Sequence, residues 1–367
     1  MRDGRQESAT ASAGGELGLI RRIRARAGQA ARSGVRLGIG DDCALLRVRG
    51  GEELAVTTDL SIDGRHFRLG WHPPEAVGHR TLARGLSDLA AMGARPVAAF
   101  LSLGLPRELV HPVRGDAGGS KIRAGSAAKP WPGSWMDRFL DGLLGLAESY
   151  KTPLAGGDLA ESRVAVADII LIGAVPRGKA LLRSGARPGD WLYVTGSLGG
   201  AAAGIERLGR LMKTGKRGRP RAAFSGPPRI PRQWEAVLAP HLYPQPRVAQ
   251  GLWLAKQEWA SAAIDLSDGL STDLRHLCEE SGVSAEVDAD RLPIHRGASL
   301  EQALYGGEDY ELLFTAPPRA RVPRSILGVA VTQIGRIGRP RAGQPQVVVV
   351  GAQGKHPLEA RGWEHFS

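Results

Sequence analysis

Between Gly38 and Gly93 the chain sets three acidic junctions, GIGDD at 38–42, TTD at 57–59 and SDLAAMG at 87–93, among segments with strand or helix periodicity. ELAVTTD is an apolar, β-branched run that closes on two hydroxyls and a carboxylate, so a strand delivers oxygen ligands at its C-terminal end and Asp59 sits at the mouth of a sheet. From Glu75 to Ala91, behind two prolines, Val77, Leu82, Leu86 and Leu89 recur at helical spacing. They predict an amphipathic helix with Asp88 near its C-terminal end, where the helix dipole disfavours negative charge. Asp88 therefore either faces water or meets a cation. A single Asp ordinarily caps or solvates a turn; three acidic junctions in so short a span ask for a fold that gathers strand and helix ends.

At 367 residues the chain is long for one domain and comfortable for two. Residues 1–15 are small and polar and read as a disordered tail. The longest apolar run, Ile169 to Val175, is far too short to span a bilayer. The expectation is a cytoplasmic protein with no membrane partner. Cys43 and Cys278 have neither CxxC nor His spacing, so they read as reduced, packed thiols.

The net charge of +12 invites a nucleic-acid reading, and its distribution argues against one. Arg210 to Arg232 holds eight Lys or Arg and no acid, and Arg114 to Lys129 holds four with one Asp. The remainder is nearly neutral. Both windows are rich in Gly, Pro, Ser and Ala, the composition of exposed loops, and are read as basic insertions at 107–133 and 209–235. They contain almost no aromatic groups to stack on bases.

In chain order, a helix is expected at 16–27, strands near 45–48 and at ELAVTTD, the helix at 75–91, a strand over 96–103, and a helix over 134–150 capped by Ser134. LAGGD at 154–158 reads as a turn, and 164–175 as a long strand. This order makes an α+β first domain, residues 16–178. A second domain, 179–367, is expected to be α/β: strands at 191–195 and 262–266, helices at 201–211, 246–256 and 273–281, and VVVV at 347–350 as a late buried strand. IDLSDG at 264–269 falls at a strand-to-helix junction, where ligands of α/β sheets bind. TGSLGG follows a strand but is GxxGG rather than GxGxxG, so a dinucleotide loop is set aside; no P-loop pattern occurs.

Asp42, Asp59, Asp88, Asp158 and Asp265 thus come from separate junctions, with hydroxyls at Thr57, Thr58 and Ser267. Hard oxygen donors without His or Cys select Mg²⁺, and phosphates are the usual third party that lets several carboxylates share a rim. Phosphoryl transfer is the chemistry this serves. Calcium storage and a purely structural role stay open on these residues alone.

GIGDDCALL, TTDLSIDGRHF, LSDLAAMGARP, LAGGDL, LLRSGARPGDWLYVTG, AIDLSDGLSTDL and YGGEDYELLFT, in that order and over nearly the whole chain, closely resemble the thiamine-monophosphate kinase family. That resemblance implies the aminoimidazole ribonucleotide synthetase-like fold, with a first domain that dimerises through its sheet. It implies transfer of the γ-phosphate of ATP to thiamine monophosphate, the last step of thiamine diphosphate formation, with several Mg²⁺ ions and a homodimer. Carried over residue by residue, it makes Asp42, Thr57, Thr58, Asp59, Asp88, Asp158, Asp265 and Asp268 metal ligands, of which Asp59, Asp88 and Asp158 are catalytic. Tyr150, Gly157, Asp158, Arg183 and Ser267 would contact ATP, and His66, Glu308 and Trp363 the thiamine phosphate. The two basic windows are longer than the family pattern and interrupt none of its motifs.

Overall fold

The computed structural model describes residues 22–26, 35–37, 45–46, 48–110, 134–214, 230, 232–352 and 354–362. Asp42, Cys43, Trp363, the 1–15 tail and most of both basic windows lie outside them. β1 (Val35–Leu37) and β2 (Leu45–Leu46) pair as a small antiparallel ribbon. Then come β3 (Glu52–Ile62), α1 (Pro74–Ala91), β4 (Arg95–Leu105), α2 (Arg107–Val110), α3 (Trp135–Ser149), β5 (Leu154–Glu161) and β6 (Val166–Pro176). They build a sheet ordered β3-β6-β4-β5, antiparallel except for β4–β5. Those two strands are joined through α3, because parallel neighbours need a crossover.

Alternation along β3 sorts its residues between two environments. Thr57 and Asp59 turn towards α1, whereas Leu54, Val56 and Leu60 turn outward and are 46–62% exposed. α1 starts at a proline, the residue type suited to a first turn, and stops at Gly93 in the left-handed region. It is buried almost all round, because it lies between both domains. Glycines make that closeness possible: a Cβ at Gly142 of α3 would stand 1.9 Å from the Glu75 carbonyl oxygen. Ser134 caps α3 as expected, and Asp137 completes a capping box.

The second unit contains β7 (Trp191–Thr195), α4 (Gly200–Thr214), α5 (Arg232–Leu242), α6 (Val248–Gln257), β8 (Ala262–Asp265), α7 (Leu270–Ser281) and β9 (Ser284–Asp288). It continues with α8 (Leu300–Tyr305), β10 (Leu312–Ala316), β11 (Ser325–Ile326), β12 (Val329–Gly338), β13 (Val347–Gly351) and β14 (Gly354–Pro357). The sheet order is β14-β13-β9-β12-β7-β10-β8, with β11 beside β12 and only the β9–β13 pairing parallel. On one face Tyr193, Ala263 and Phe314 share a continuous core with Leu82, Leu86 and Leu89 of α1. On the other, Leu192 and Val194 pack with Leu274 and Leu277 of α7.

Three local expectations are corrected. LAGGD is not a turn but the start of β5, whose glycines mask its strand character. Gly157, at φ +148°, is there because a Cβ would stand 1.9 Å from the Leu101 carbonyl oxygen. VVVV forms β13 but only Val347 is buried, since β13 lies next to the sheet edge. Helices α4 and α5 occupy the margins of the 209–235 window, where Leu208, Leu238 and Leu242 pack with Ala76 and Trp71. Cys278 is buried as expected, and that burial pushes its thiol up to about 12.

Candidate active site

Three of the expected carboxylates meet at the junction of the domains, around the C-terminal half of α1. The Thr57 hydroxyl donates to Asp88 Oδ2. Asp59 is ion-paired with Arg84 Nη2 at 3.2 Å. Asp265, at the end of β8, accepts from Ser87 Oγ at 2.7 Å, which ties the second sheet to α1. Burial, then repulsion from Asp265 and Asp59, pushes Asp88 up to about 8, against the pull of Thr57 and Arg183. Burial raises Asp265 to about 6, with the Ser87 hydrogen bond and Arg183 opposing and Asp59 adding repulsion. At neutral pH the group is therefore short of positive charge, the condition a cation relieves. Arg183 itself is exposed beside it.

Beside this group, linked to it through Arg84, lies a buried basic group that the motifs did not single out. Arg80 of α1 donates to the His241 carbonyl at 2.8 Å, to the His66 carbonyl at 3.2 Å and to Glu308 Oε1 at 2.5 Å. His72 Nε2 and His241 Nε2 stand 2.9 Å apart, a spacing two neutral rings bridge with one shared proton. Burial, then Arg80, lowers His241 to about 4 and lowers His72 as well. Burial pushes the Glu308 carboxyl up, yet Arg80 and His241 outweigh it and hold Glu308 below the usual range. Since His241 is neutral at pH 7, the charge that balances Glu308 there is Arg80. The expected substrate contacts His66 and Glu308 are thus gathered by one arginine. Arg80, Arg84 and Asp88 recur every four residues, so one polar helix face was the signal available for them.

The loops around these residues interlock. Glu308 N donates to the Ser267 carbonyl at 2.8 Å, and Glu308 and Tyr310 both adopt positive φ, so the GGEDYE turn is folded tightly against IDLSDG. In TGSLGG, the Gly199 and Ala201 amides at the start of α4 donate to Asp309, at 2.6 and 3.1 Å. An internal carboxylate thus takes the anion position that a dinucleotide phosphate would need, which agrees with setting that loop aside. Tyr150 OH donates across the domains to the Pro246 carbonyl at 2.8 Å, and Arg247 next to it pairs with Glu311.

Other expected ligands are placed elsewhere. Thr58 faces the opposite side of β3, donating to Asp168 at 2.9 Å. Asp158 is in register with Ser102, which is in register with Asp168, so it shares that outward row and not the Asp88 group. Asp268 lies beside Asp273, which accepts the Asp268 and Gly269 amides at 3.0 Å each. Gly362, the residue before Trp363, donates to Thr272 Oγ1 at 3.0 Å, which brings the C-terminal segment to the same loop.

The donor chemistry of Asp59, Asp88, Asp265 and Thr57 fits Mg²⁺, being hard oxygen throughout. Among the described residues no three His, Cys, Asp or Glu side chains stand close enough to hold one ion in this arrangement.

The description "AIR synthase related protein, N-terminal domain" matches residues 40–175, and "AIR synthase related protein, C-terminal domain" matches 187–349. The chain is 38% identical to the thiamine-monophosphate kinase of Salmonella typhimurium over 88% of this chain and 87% of that one. It is similar to the crystal structure of thiamine-monophosphate kinase from Stenotrophomonas maltophilia K279a, with a TM-score of 0.70 and 36% identity over 91% of this chain and 96% of that one. It is also similar to AaThiL complexed with AMPPCP and TMP, with a TM-score of 0.67 and 31% identity over 96% and 97% of the two chains.

Proposed function

The chain belongs to the thiamine-monophosphate kinase family, and from that premise we propose that it phosphorylates thiamine monophosphate with ATP to give thiamine diphosphate. The observation that carries this reading is the carboxylate group at the domain junction, where Asp59, Asp88 and Asp265 converge beside the Arg80-held Glu308, in a chain that covers 97% of the complexed relative. In the reaction a phosphate oxygen of thiamine monophosphate attacks the γ-phosphorus, the bond to the β–γ bridging oxygen breaks, and ADP leaves. Asp59 and Asp88, with Asp42 and Asp265, are the residues that would hold Mg²⁺; bound there, it would neutralise the charge developing on the phosphoryl oxygens. Asp268 and the Thr57 hydroxyl stand as further ligands in this proposal. Arg183 supplies a permanent cation for phosphate oxygens, and Ser267, Gly157 and Tyr150 are assigned to ATP. Glu308, His66 and Trp363 are assigned to the thiamine moiety, where a carboxylate and an aromatic face suit a cationic ring.

The outward face of the first sheet supports a homodimer. Leu54, Val56 and Leu60 make an apolar stripe that no helix of this chain covers among the described residues. Thr58 and Asp158 lie on that same face, so their assignment as ligands rests on a partner subunit bringing them to a cleft. No helix of the described residues is long and apolar enough to cross a membrane. Because ATP is a cytoplasmic metabolite, the proposed reaction assigns the protein to the cytoplasm. A coupled assay that follows ADP formation with thiamine monophosphate, repeated with chelator, tests the proposal. Turnover that is abolished by chelation is expected; activity on free thiamine and none on the monophosphate would sink it.

A further inference from the structure

At the edge of the second sheet opposite β8 and Asp265, a cavity of about 480 Å³ opens among β9, β12, β13, β14 and the loop from β12 to β13. Arg336 of β12, Arg339 and Arg341 of the loop, and Lys355 of β14 line it, with Glu286 of β9 as its acidic side chain. Glu286 is already engaged, accepting from Lys355 Nζ at 2.6 Å. Among the described residues, none of the three arginines is ion-paired. Arg336 lies over the Trp191 ring, 5.5 Å from its centroid, and is in register with both Trp191 and Glu286, so its position is set by the sheet. Three guanidiniums in one concavity repel one another, and an anion with several oxygens relieves that repulsion while matching their planar donor forks. The volume suits a small ligand and is too small for a polymer.

We propose that this cavity binds a compact di- or triphosphate anion, at a site separate from the Asp59–Asp88–Asp265 group. Three uncompensated cations match the charge of a diphosphate better than that of a monocarboxylate. The probe is pyrophosphate, titrated calorimetrically into the full-length protein at low salt without added metal. Two double variants are compared: Arg339→Ala/Arg341→Ala in the cavity, and Arg319→Ala/Arg321→Ala, which removes the same charge from exposed positions outside it. Wild type and the outside variant should bind one pyrophosphate per chain with similar affinity. The cavity variant should bind at least about tenfold more weakly, the loss of at least one charge-assisted contact, with thermal midpoint and kinase turnover kept. Absence of binding by wild type, undiminished binding by the cavity variant, or equal weakening in both variants would overturn the proposal. The measurement involves no turnover, so a failed kinase assay would leave it standing.

Discussion

Asp88 combines the strongest electrostatic tension among the metal-ligand candidates with the most direct link to β3, through Thr57. If it acts on charge developing in the transition state, Asp88→Asn and Asp59→Asn should each lower kcat by about a hundredfold or more, read in the coupled assay. Near-wild-type turnover would return either residue to a structural role. The raised Asp88 also has a consequence for stability. Its folded-state value lies above its unfolded value, so the folded protein holds the proton more tightly and stability declines as pH rises from the ordinary carboxylate range towards about 8. The depressed His72 and His241 act in the opposite direction below their ordinary value, so the informative quantity is a difference. In metal-free protein, the thermal midpoint of Asp88→Asn should gain on wild type as pH rises through that window, and Mg²⁺ with ATP should stabilise wild type more than the variant. A gap that does not change with pH would show that Asp88 is not held protonated. Arg80→Ala leaves the half-buried Glu308 without its cation and should cost about 1–3 kcal/mol in denaturant unfolding, with affinity for thiamine monophosphate falling alongside.

α1 is the element that both domains use. Its N-terminal half crosses α3 at Gly78 and Gly142, and its C-terminal half meets α6 at Gly251, where a Cβ would stand 1.9 Å from the Ala90 carbonyl oxygen. This crossing is two residues from Asp88, so helix packing and ligand position are one problem. Gly251→Ala must push the helices apart and should cost about 1–3 kcal/mol, with kcat lowered more than the stability loss alone implies. A variant stable as wild type and fully active would mean that the crossing relaxes without moving Asp88. β5 teaches the complementary lesson. Glycines weaken its strand signal, yet they are what its contact with Leu101 requires.

At the scale of the whole molecule, the exposed stripe of Leu54, Val56 and Leu60 beside the β1–β2 ribbon is where the proposed homodimer is tested. Leu54→Lys/Val56→Lys introduces charge into that apolar stripe and should convert a dimer into monomers by light scattering, with turnover falling if Thr58 and Asp158 serve a partner's cleft. A dimer unaffected by the pair would move the interface elsewhere. The long periodic elements were legible in the sequence because a buried helix or strand must repeat its apolar residues: α1, β3, β4, α3, β6 and β7 all follow from spacing, and the acidic junctions from their motifs. So was the family, since the motifs recur in order along nearly the entire chain. Which junctions share a cleft was not. Period two puts Thr57 and Thr58 on opposite faces of β3, but only the packing of α1 against that strand determines which of them meets Asp88. Arg80, His72, His241 and Glu308 come from positions 72 to 308 and carry no joint signal, because their contact is created by two domains closing around one helix. Periodicity is a local property of the chain; convergence is a property of the packed core.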